Sequence, residues 1–184
     1  LYANDFKFDN HPVVGKKTNV ERLKELGNEN VIALIVDSLY SNNDQKTPSE
    51  KVAREMLKDV MLGTENSENA IFATTFASHI ARLKSLFDFG NALDRKVVFM
   101  GRSMLKYIKA AERLNLANFS DKAEIIGYGN KIKRRLKSIS NEERKKYFMV
   151  CTGGQGEPSS VLNRILSNDI KFNFKTGDHV IFAN

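Results

Sequence analysis

The chain has 184 residues, of which 41% are hydrophobic and 28% are charged, and both fractions are typical of a globular domain. This composition excludes wholesale disorder, and the single cysteine excludes an internal disulfide framework and a cysteine-cluster metal site. The net charge of +7 suits a polyanionic partner such as nucleic acid, and it equally suits an ordinary basic protein.

Both ends of the chain carry strand-like patterns. Residues 1–9 alternate apolar and polar side chains, as in a half-buried strand, and residues 178–184 end on another strand pattern. Because complete domains usually begin and end in exposed polar sequence, we expect the chain to be a segment of a longer protein. An intact small protein with strands at both ends is the alternative. No apolar run is long enough to cross a bilayer, so a cytoplasmic location without membrane contact is expected.

The first strand-then-helix unit lies between residues 31 and 62. Val31–Val36 is a continuous apolar run, which is typical of a strand covered on both faces in a parallel sheet. In Thr47–Glu50, the threonine is the expected N-cap, the proline takes the first helical position and the glutamate completes a capping box. Apolar residues at helical spacing predict that this helix ends near Leu62.

The same unit recurs along the rest of the chain. Strands are expected at 70–74, 96–100, 124–127, 147–152 and 179–183, with helices that begin near 78 and 103 and that span about 131–138 and 159–166. Strands that alternate with helices predict an α/β fold whose sheet is mainly parallel and flanked by helices.

Phosphate chemistry is expected where these strands end, because ligands gather at the carboxyl ends of strands in open parallel sheets. Gly101–Ser103 and Thr152–Glu157 fall there and combine glycines, hydroxyls and an arginine. Glycines let a ligand approach the backbone, and helix N-termini offer unpaired N–H groups to phosphate. Such residues also end strands and cap helices in any α/β protein, so each motif alone fits that simpler interpretation.

Other kinds of site have less support. The three histidines are far apart and none is at metal-ligand spacing, and Cys151 lies in an apolar strand, where we expect a core residue. Residues 131–146 carry eight positive and two negative side chains but no aromatic ones. This stretch could guide a nucleic-acid backbone or simply form a solvated helix face.

Six segments of the chain share their order and spacing with a known family. They are Tyr2–Asp9, Asp37–Ser38, Thr47–Glu50, Ala73–Arg82, Gly101–Met104 and Thr152–Pro158. Together they resemble the ribonuclease J family of the metallo-β-lactamase/β-CASP group, and archaeal members more than bacterial ones. The resemblance implies a Rossmann-like β-CASP domain at 31–184, preceded at 1–30 by the end of a metallo-β-lactamase domain and a linker.

The activity implied by the resemblance is zinc-dependent hydrolysis of RNA phosphodiester bonds, 5′-to-3′ exonucleolytic and in some members endonucleolytic. In that family the metallo-β-lactamase domain carries two zinc ions and the β-CASP domain helps to clamp RNA. A zinc-activated hydroxide would attack the phosphorus in line. The expected partners are RNA, the metallo-β-lactamase domain of the parent chain and a second copy in a homodimer.

The resemblance also implies roles for individual residues. Asp5 matches the aspartate that bridges the two metals, and Asp37 matches an acidic residue that supports a catalytic histidine. Contacts to the RNA backbone or its 5′-monophosphate are expected from Arg102, Ser103, Thr152, Gly153, Gly154, Gln155, Gly156 and Glu157, and with a weaker match from Ser78 and His79.

The sequence departs from the family pattern at the metal site. The His-x-His-x-Asp-His motif is absent, Asn4 replaces the usual glycine, Leu39 replaces a common threonine and Gly154 replaces a common serine. We therefore expect this chain alone neither to bind zinc tightly nor to cut RNA. A non-catalytic phosphate- or nucleotide-binding α/β module, and a metallo-β-lactamase relative kept as a scaffold, are the alternatives.

Overall fold

The computed structural model describes residues 1–184 and contains two parallel sheets. The elements in chain order are β1 (Tyr2–Ala3), α1 (Val20–Gly27), β2 (Ile35–Val36), α2 (Glu50–Leu62), β3 (Ile71–Thr74), α3 (Ile80–Ala92), β4 (Lys96–Met100), α4 (Arg102–Arg113), β5 (Ala123–Ile126), α5 (Gly129–Ser138), a 3₁₀ turn (Arg144–Lys146), β6 (Tyr147–Cys151), α6 (Val161–Leu166) and β7 (His179–Phe182). No helix combines the length and the apolar character that a membrane span requires.

The main sheet has five strands in the order β5-β4-β6-β3-β7, and every neighbouring pair is parallel. All five carboxyl ends therefore lie along one edge of the sheet. The predicted α/β fold with a parallel sheet flanked by helices is confirmed. Its five strands fall within about two residues of the expected positions.

Apolar side chains cover both faces of this sheet. On one face, Phe99 and Phe148 pack beneath α2, α3 and α4. On the other, Phe72 and Met149 pack beneath α5 and α6. Cys151 belongs to this second cluster, where burial raises the pKa of its thiol to about 12. The cysteine is thus a core residue, as predicted.

The predicted covered strand at Val31–Val36 is wrong. Only its last two residues form a strand, β2, and that strand pairs with β1 in a separate two-stranded sheet. Ile32 is fully exposed and Ile35 is 59% exposed. The strand predicted at residues 1–9 likewise shrinks to Tyr2–Ala3. An apolar run shows that a segment can be buried, but it does not show which layer covers it.

Helix α2 begins differently from the predicted capping box. Its N-cap is Ser49, whose Oγ accepts from Lys51 N at 3.2 Å, so the expected cap at Thr47 is wrong. Asp9 accepts from Ser49 Oγ at 2.6 Å and from Glu50 N at 2.8 Å. These hydrogen bonds lower the pKa of the Asp9 carboxyl to about 2. The start of α2 is therefore stabilised by the carboxylate of Asp9, which lies forty residues before the N-cap in the sequence.

Candidate functional site

A cleft of about 290 Å³ lies where β4, β5 and β6 end, and we refer to it as the rim cleft. Its lining is mostly polar. The lining residues are Gly101, Arg102, Ser103, Gly127, Gly129, Ile132, Thr152, Glu157, Ser159, Ser160, Val161 and Arg164.

Two glycines on adjacent strands shape this cleft. Gly101 follows β4 with φ of +130°, and Gly153 follows β6 with φ of +129°. Residues with a Cβ rarely adopt this backbone conformation. A Cβ at Gly153 would also lie 2.7 Å from the Cβ of Leu162. The two turns therefore need glycine, and they place the starts of α4 and α6 side by side.

The starts of two helices supply unpaired N–H groups to the cleft. Helix α4 begins at Arg102 and helix α5 begins at Gly129, and neither has a side-chain cap. Helix α6 differs because its N-cap, Ser160, accepts from Asn163 N at 3.3 Å. Uncapped helix starts carry a partial positive charge and favour an anion.

Two guanidinium groups reinforce that preference. Arg102 is exposed and is not paired with a carboxylate. Arg164 donates from Nε to Asp169 Oδ2 at 2.6 Å, which leaves its two terminal nitrogens for a ligand. A Cβ at Gly129 would lie 3.0 Å from Arg164 Nη1, so this guanidinium sits against the start of α5. Planar guanidinium groups match the geometry of phosphate oxygens.

Asp169 holds Arg164 in place. Its carboxylate accepts from Lys133 Nζ at 2.6 Å as well as from Arg164 Nε. These hydrogen bonds, first from Lys133 and then from Arg164, lower the pKa of Asp169. The carboxylate therefore stays ionised and fixes the arginine near the cleft.

One carboxylate also faces the cleft. Glu157 Oε2 accepts from Gln155 N at 3.1 Å, which orients the side chain at the cleft wall. A carboxylate repels a phosphate, but it can accept a hydrogen bond from a ribose hydroxyl or a base N–H. The cleft thus has an anion-binding part and an acceptor part.

Half of the RNA-contacting residues expected in the two loops come together here. Arg102, Ser103, Thr152 and Glu157 line the cleft, and Gly153 forms the turn behind it. The other three loop residues do not line it; they are Gly154, Gln155 and Gly156. Arg164, Ser159 and Ser160 also line the cleft, and the sequence patterns did not predict them as site residues. The two serines before an apolar run were a readable N-cap signal.

Ser78 and His79 lie elsewhere, directly before the start of α3. His79 Nε2 lies 3.2 Å from Glu50 Oε2, and Arg82 donates from Nε to Glu50 Oε1 at 2.7 Å. Burial opposes ionisation of Glu50, but the hydrogen bonds from His79 and Arg82 outweigh it and lower its pKa to about 2. Ser78 is exposed and does not line the rim cleft.

Asp5 and Asp37 share a second cleft of about 580 Å³, which also includes Lys7 and Lys46. This cleft contains no histidine for Asp37 to support. Throughout residues 1–184, no three His, Cys, Asp or Glu side chains form a group that could hold a metal ion. The side chains of this chain therefore do not fit a two-zinc centre by themselves.

The basic stretch at 131–146 is largely neutralised. Five of its cations are within ion-pair distance of carboxylates: Lys133 with Asp169, Arg135 with Glu124, Arg144 with Asp178, Lys145 with Glu68 and Lys146 with Glu143. Arg144 is also buried. Lys131, Arg134 and Lys137 remain, all on α5. The stretch is therefore not one continuous basic surface.

Comparison with known proteins gives consistent matches. The family described as "Ribonuclease J, beta-CASP domain" matches residues 68–184. The chain is 38% identical over 183 residues to ribonuclease J of Methanocaldococcus jannaschii, covering 100% of this chain and 41% of that protein. The chain is also 38% identical over 183 residues to ribonuclease J of Pyrococcus abyssi, and this match covers 100% of the chain and 40% of that protein. Ribonuclease J of Thermus thermophilus is 32% identical over 186 residues, and this match covers 100% of the chain and 30% of that protein. The chain thus spans about two fifths or less of these curated relatives.

Proposed function

Because this chain belongs to the ribonuclease J family and matches its β-CASP domain, we propose that it binds RNA for a ribonuclease. The observation that carries the proposal is the rim cleft, in which Arg102 and Arg164 meet two uncapped helix starts. These groups are all donors or positive charges, and RNA presents an anionic oxygen on every phosphate.

We propose that the preferred ligand of the rim cleft is a terminal 5′-monophosphate. A terminal phosphate monoester carries close to two negative charges near neutral pH, whereas an internal phosphodiester carries one. It also presents three free oxygens, which suits donors that approach from different elements. The cleft offers such donors on α4, α5 and α6.

Hydrolysis is proposed for a protein that joins this chain to a metallo-β-lactamase domain. Two zinc ions and 5′-to-3′ exonuclease activity, with endonuclease activity in some settings, are part of this proposal. The zinc ligands would come mainly from residues outside this chain, because Asp5 and Asp37 are the only carboxylates in their cleft. The assignments of Asp5 to metal and of Asp37 to catalysis stay predictions, as do a homodimer and a cytoplasmic location.

A binding module without catalysis is the second candidate. It is favoured by the lack of any three-ligand metal group in this chain and by a cleft that would suit the phosphate of a free nucleotide. Nucleoside monophosphates that compete with RNA equally well, mole for mole, would support this candidate. Zinc-dependent RNA cleavage by the 184-residue chain would contradict our expectation that it is inactive alone.

The test compares the affinities of one single-stranded RNA with a 5′-monophosphate and with a 5′-hydroxyl. We expect the phosphorylated RNA to bind about tenfold more tightly, as charge-assisted hydrogen bonds would allow. Arg102→Ala should erase most of that difference. Arg113→Ala is the matched control, because Arg113 is an exposed arginine at the other end of the same helix.

Equal affinities for both RNAs in the unaltered chain would contradict the proposal and leave only nonspecific electrostatic binding. An equal loss in the two arginine variants would have the same meaning. In that case the affinity should fall with added salt to the same extent for either 5′ end.

A further inference from the structure

A third opening adjoins the rim cleft at the free edge of the main sheet, and we refer to it as the edge groove. It has a volume of about 430 Å³ and runs beside β5, which pairs with β4 on one side only. Gly127 lines both the edge groove and the rim cleft. A ligand that fills one opening can therefore continue into the other.

An aromatic side chain, that of Tyr128, lines the edge groove. Tyr128 is 60% exposed. Its backbone is fixed, because its carbonyl accepts from Lys131 N at 2.9 Å and from Ile132 N at 3.0 Å at the start of α5. An exposed ring on a fixed backbone is a platform on which an unpaired base can stack.

The edge groove has an excess of positive charge. Its one lining carboxylate is Glu124, which is paired with Arg135 Nη2 at 2.7 Å. Arg135 in turn stacks over Tyr147 at 5.0 Å, so this pair belongs to the wall of the groove. Lys109 and Lys131 line the groove as well, and neither forms an ion pair. Two cations are thus left to attract an anionic backbone.

The order of the sites along the sheet edge gives a direction to an RNA chain. The Asp5–Asp37 cleft lies toward the β3 side of the sheet. It includes Thr47, which precedes α2, and Glu50 at the start of α2 contacts His79, which follows β3. The rim cleft lies at β6 and β4, and the edge groove lies at β5 on the far side. In the proposed function, the bond that is cut lies 3′ of the phosphate in the rim cleft and on the Asp5 side. Nucleotides on the 5′ side of that phosphate then lie toward β5.

We propose that the edge groove binds single-stranded RNA on the 5′ side of the phosphate held in the rim cleft. Tyr128 stacks on a base, and Lys109 and Lys131 contact the backbone. The inference rests on the proposed function of the rim cleft. An RNA whose 5′ end lies in the rim cleft leaves the groove empty, so the groove serves RNA that is bound through internal phosphates. Bases in a duplex are not free to stack, which restricts the groove to single strands.

The experiment uses two probes and the 184-residue chain. One probe is a 5′-hydroxyl single-stranded RNA of about ten nucleotides, which must bind through internal phosphates. The other is a 5′-monophosphorylated dinucleotide, which is short enough to occupy the rim cleft alone. We expect Tyr128→Ala to weaken binding of the longer RNA by about tenfold, the size that loss of one base–aromatic stack produces. Binding of the dinucleotide should not change.

Two tyrosine variants serve as controls. Tyr128→Phe keeps the ring and should keep the affinity for the longer RNA. Tyr107→Ala removes a 41% exposed tyrosine on α4 that does not line the groove, and it should have no effect. Because both tyrosines are exposed, these variants are expected to fold.

The proposal is overturned if Tyr128→Ala leaves the affinity for the longer RNA unchanged or weakens it no more than Tyr107→Ala does. A change in sedimentation in Tyr128→Ala with unchanged RNA affinity would identify a protein contact and also overturn it. The rim cleft is tested separately, because Arg102→Ala should weaken dinucleotide binding whatever the result at Tyr128.

Discussion

At the scale of single residues, Glu50 connects distant parts of the chain. Its buried carboxylate accepts from Arg82 Nε at 2.7 Å and from Arg82 Nη2 at 3.1 Å, while Arg82 Nη1 donates to Ala183 O at 2.7 Å. His79 packs on the same carboxylate. This cluster joins the start of α2, the start of α3 and the residues after β7. Its position at the carboxyl edge makes it a support for the neighbouring loops.

We expect Glu50→Gln to lower the free energy of unfolding by about 3 kcal/mol, because it leaves the buried Arg82 without its counter-charge. Glu55→Gln is the matched control on the same helix, since its pair with Lys58 is exposed and contributes about 0.5 kcal/mol or less. Denaturant unfolding near neutral pH measures both. Equal effects of the two substitutions would contradict a structural role for the Glu50 pair.

The lowered pKa of Glu50 predicts that the free energy of unfolding depends on pH. The pKa of Glu50 is about 2 in the fold, against an ordinary value of 4.5, so the fold favours the ionised form. Its contribution to stability is therefore complete above pH 4.5 and is lost as the pH falls toward about 2. The stability difference between the unaltered chain and Glu50→Gln should shrink over that range. A difference that stays constant on acidification would contradict the assignment.

Sequence patterns identified some site residues and missed others for a physical reason. Arg102 and Thr152 were found because each stands beside a glycine at a strand end, a local signal. Arg164 has no such signal, since its place depends on Asp169 and on how α6 packs beside α5. The cap that Asp9 provides to α2 depends likewise on a contact between residues far apart in sequence.

At the scale of elements, burial explains which strands could be predicted. Strand β4 is found at 96–100 as expected, because four of its five residues are buried and form a continuous apolar run. The run at Val31–Val36 looks alike in sequence, but it lies outside the main sheet and is exposed. The order of the strands, which sets β6 between β4 and β3, cannot be read from local patterns at all.

Close packing of α3 against the sheet predicts the effect of Gly90→Ala. A Cβ there would lie 2.6 Å from Val97 Cγ2 and 2.7 Å from Phe148 Cδ1. Overpacking of about 1–3 kcal/mol should outweigh the gain of about 1 kcal/mol in helix propensity. We therefore expect a lower melting temperature. Gly27→Ala is the control, because no atom lies within 4 Å of its Cβ position, and it should not destabilise the chain. A Gly90→Ala variant as stable as the unaltered chain would contradict this packing.

At the scale of the whole molecule, Cys151 reports on the integrity of the core. The thiol is fully buried and its pKa is raised to about 12, so the reactive thiolate is scarce in the native state. We expect no reaction with a thiol reagent until the core opens, with a rate that rises in denaturant and in Glu50→Gln. Rapid modification of the native chain would contradict the packing of α5 and α6 over β6.

The parallel arrangement of the five strands explains how segments far apart in sequence form one site. Gly101 and Gly153 follow strands that are hydrogen-bonded neighbours, so the two turns lie next to each other at the sheet edge. The start of α6 lies there too, because a Cβ at Gly101 would be 3.7 Å from Val161 Cγ2. The edge groove continues the same edge beyond β5. We propose that this edge binds the phosphates of RNA.

The most direct test of that claim is to follow backbone amide chemical shifts while a 5′-monophosphorylated dinucleotide is added. We predict saturable shifts confined to the rim cleft, at Arg102, Ser103, Gly129, Thr152 and Glu157. Shifts centred on the Asp5–Asp37 cleft, or small shifts spread over the whole surface without saturation, would contradict it.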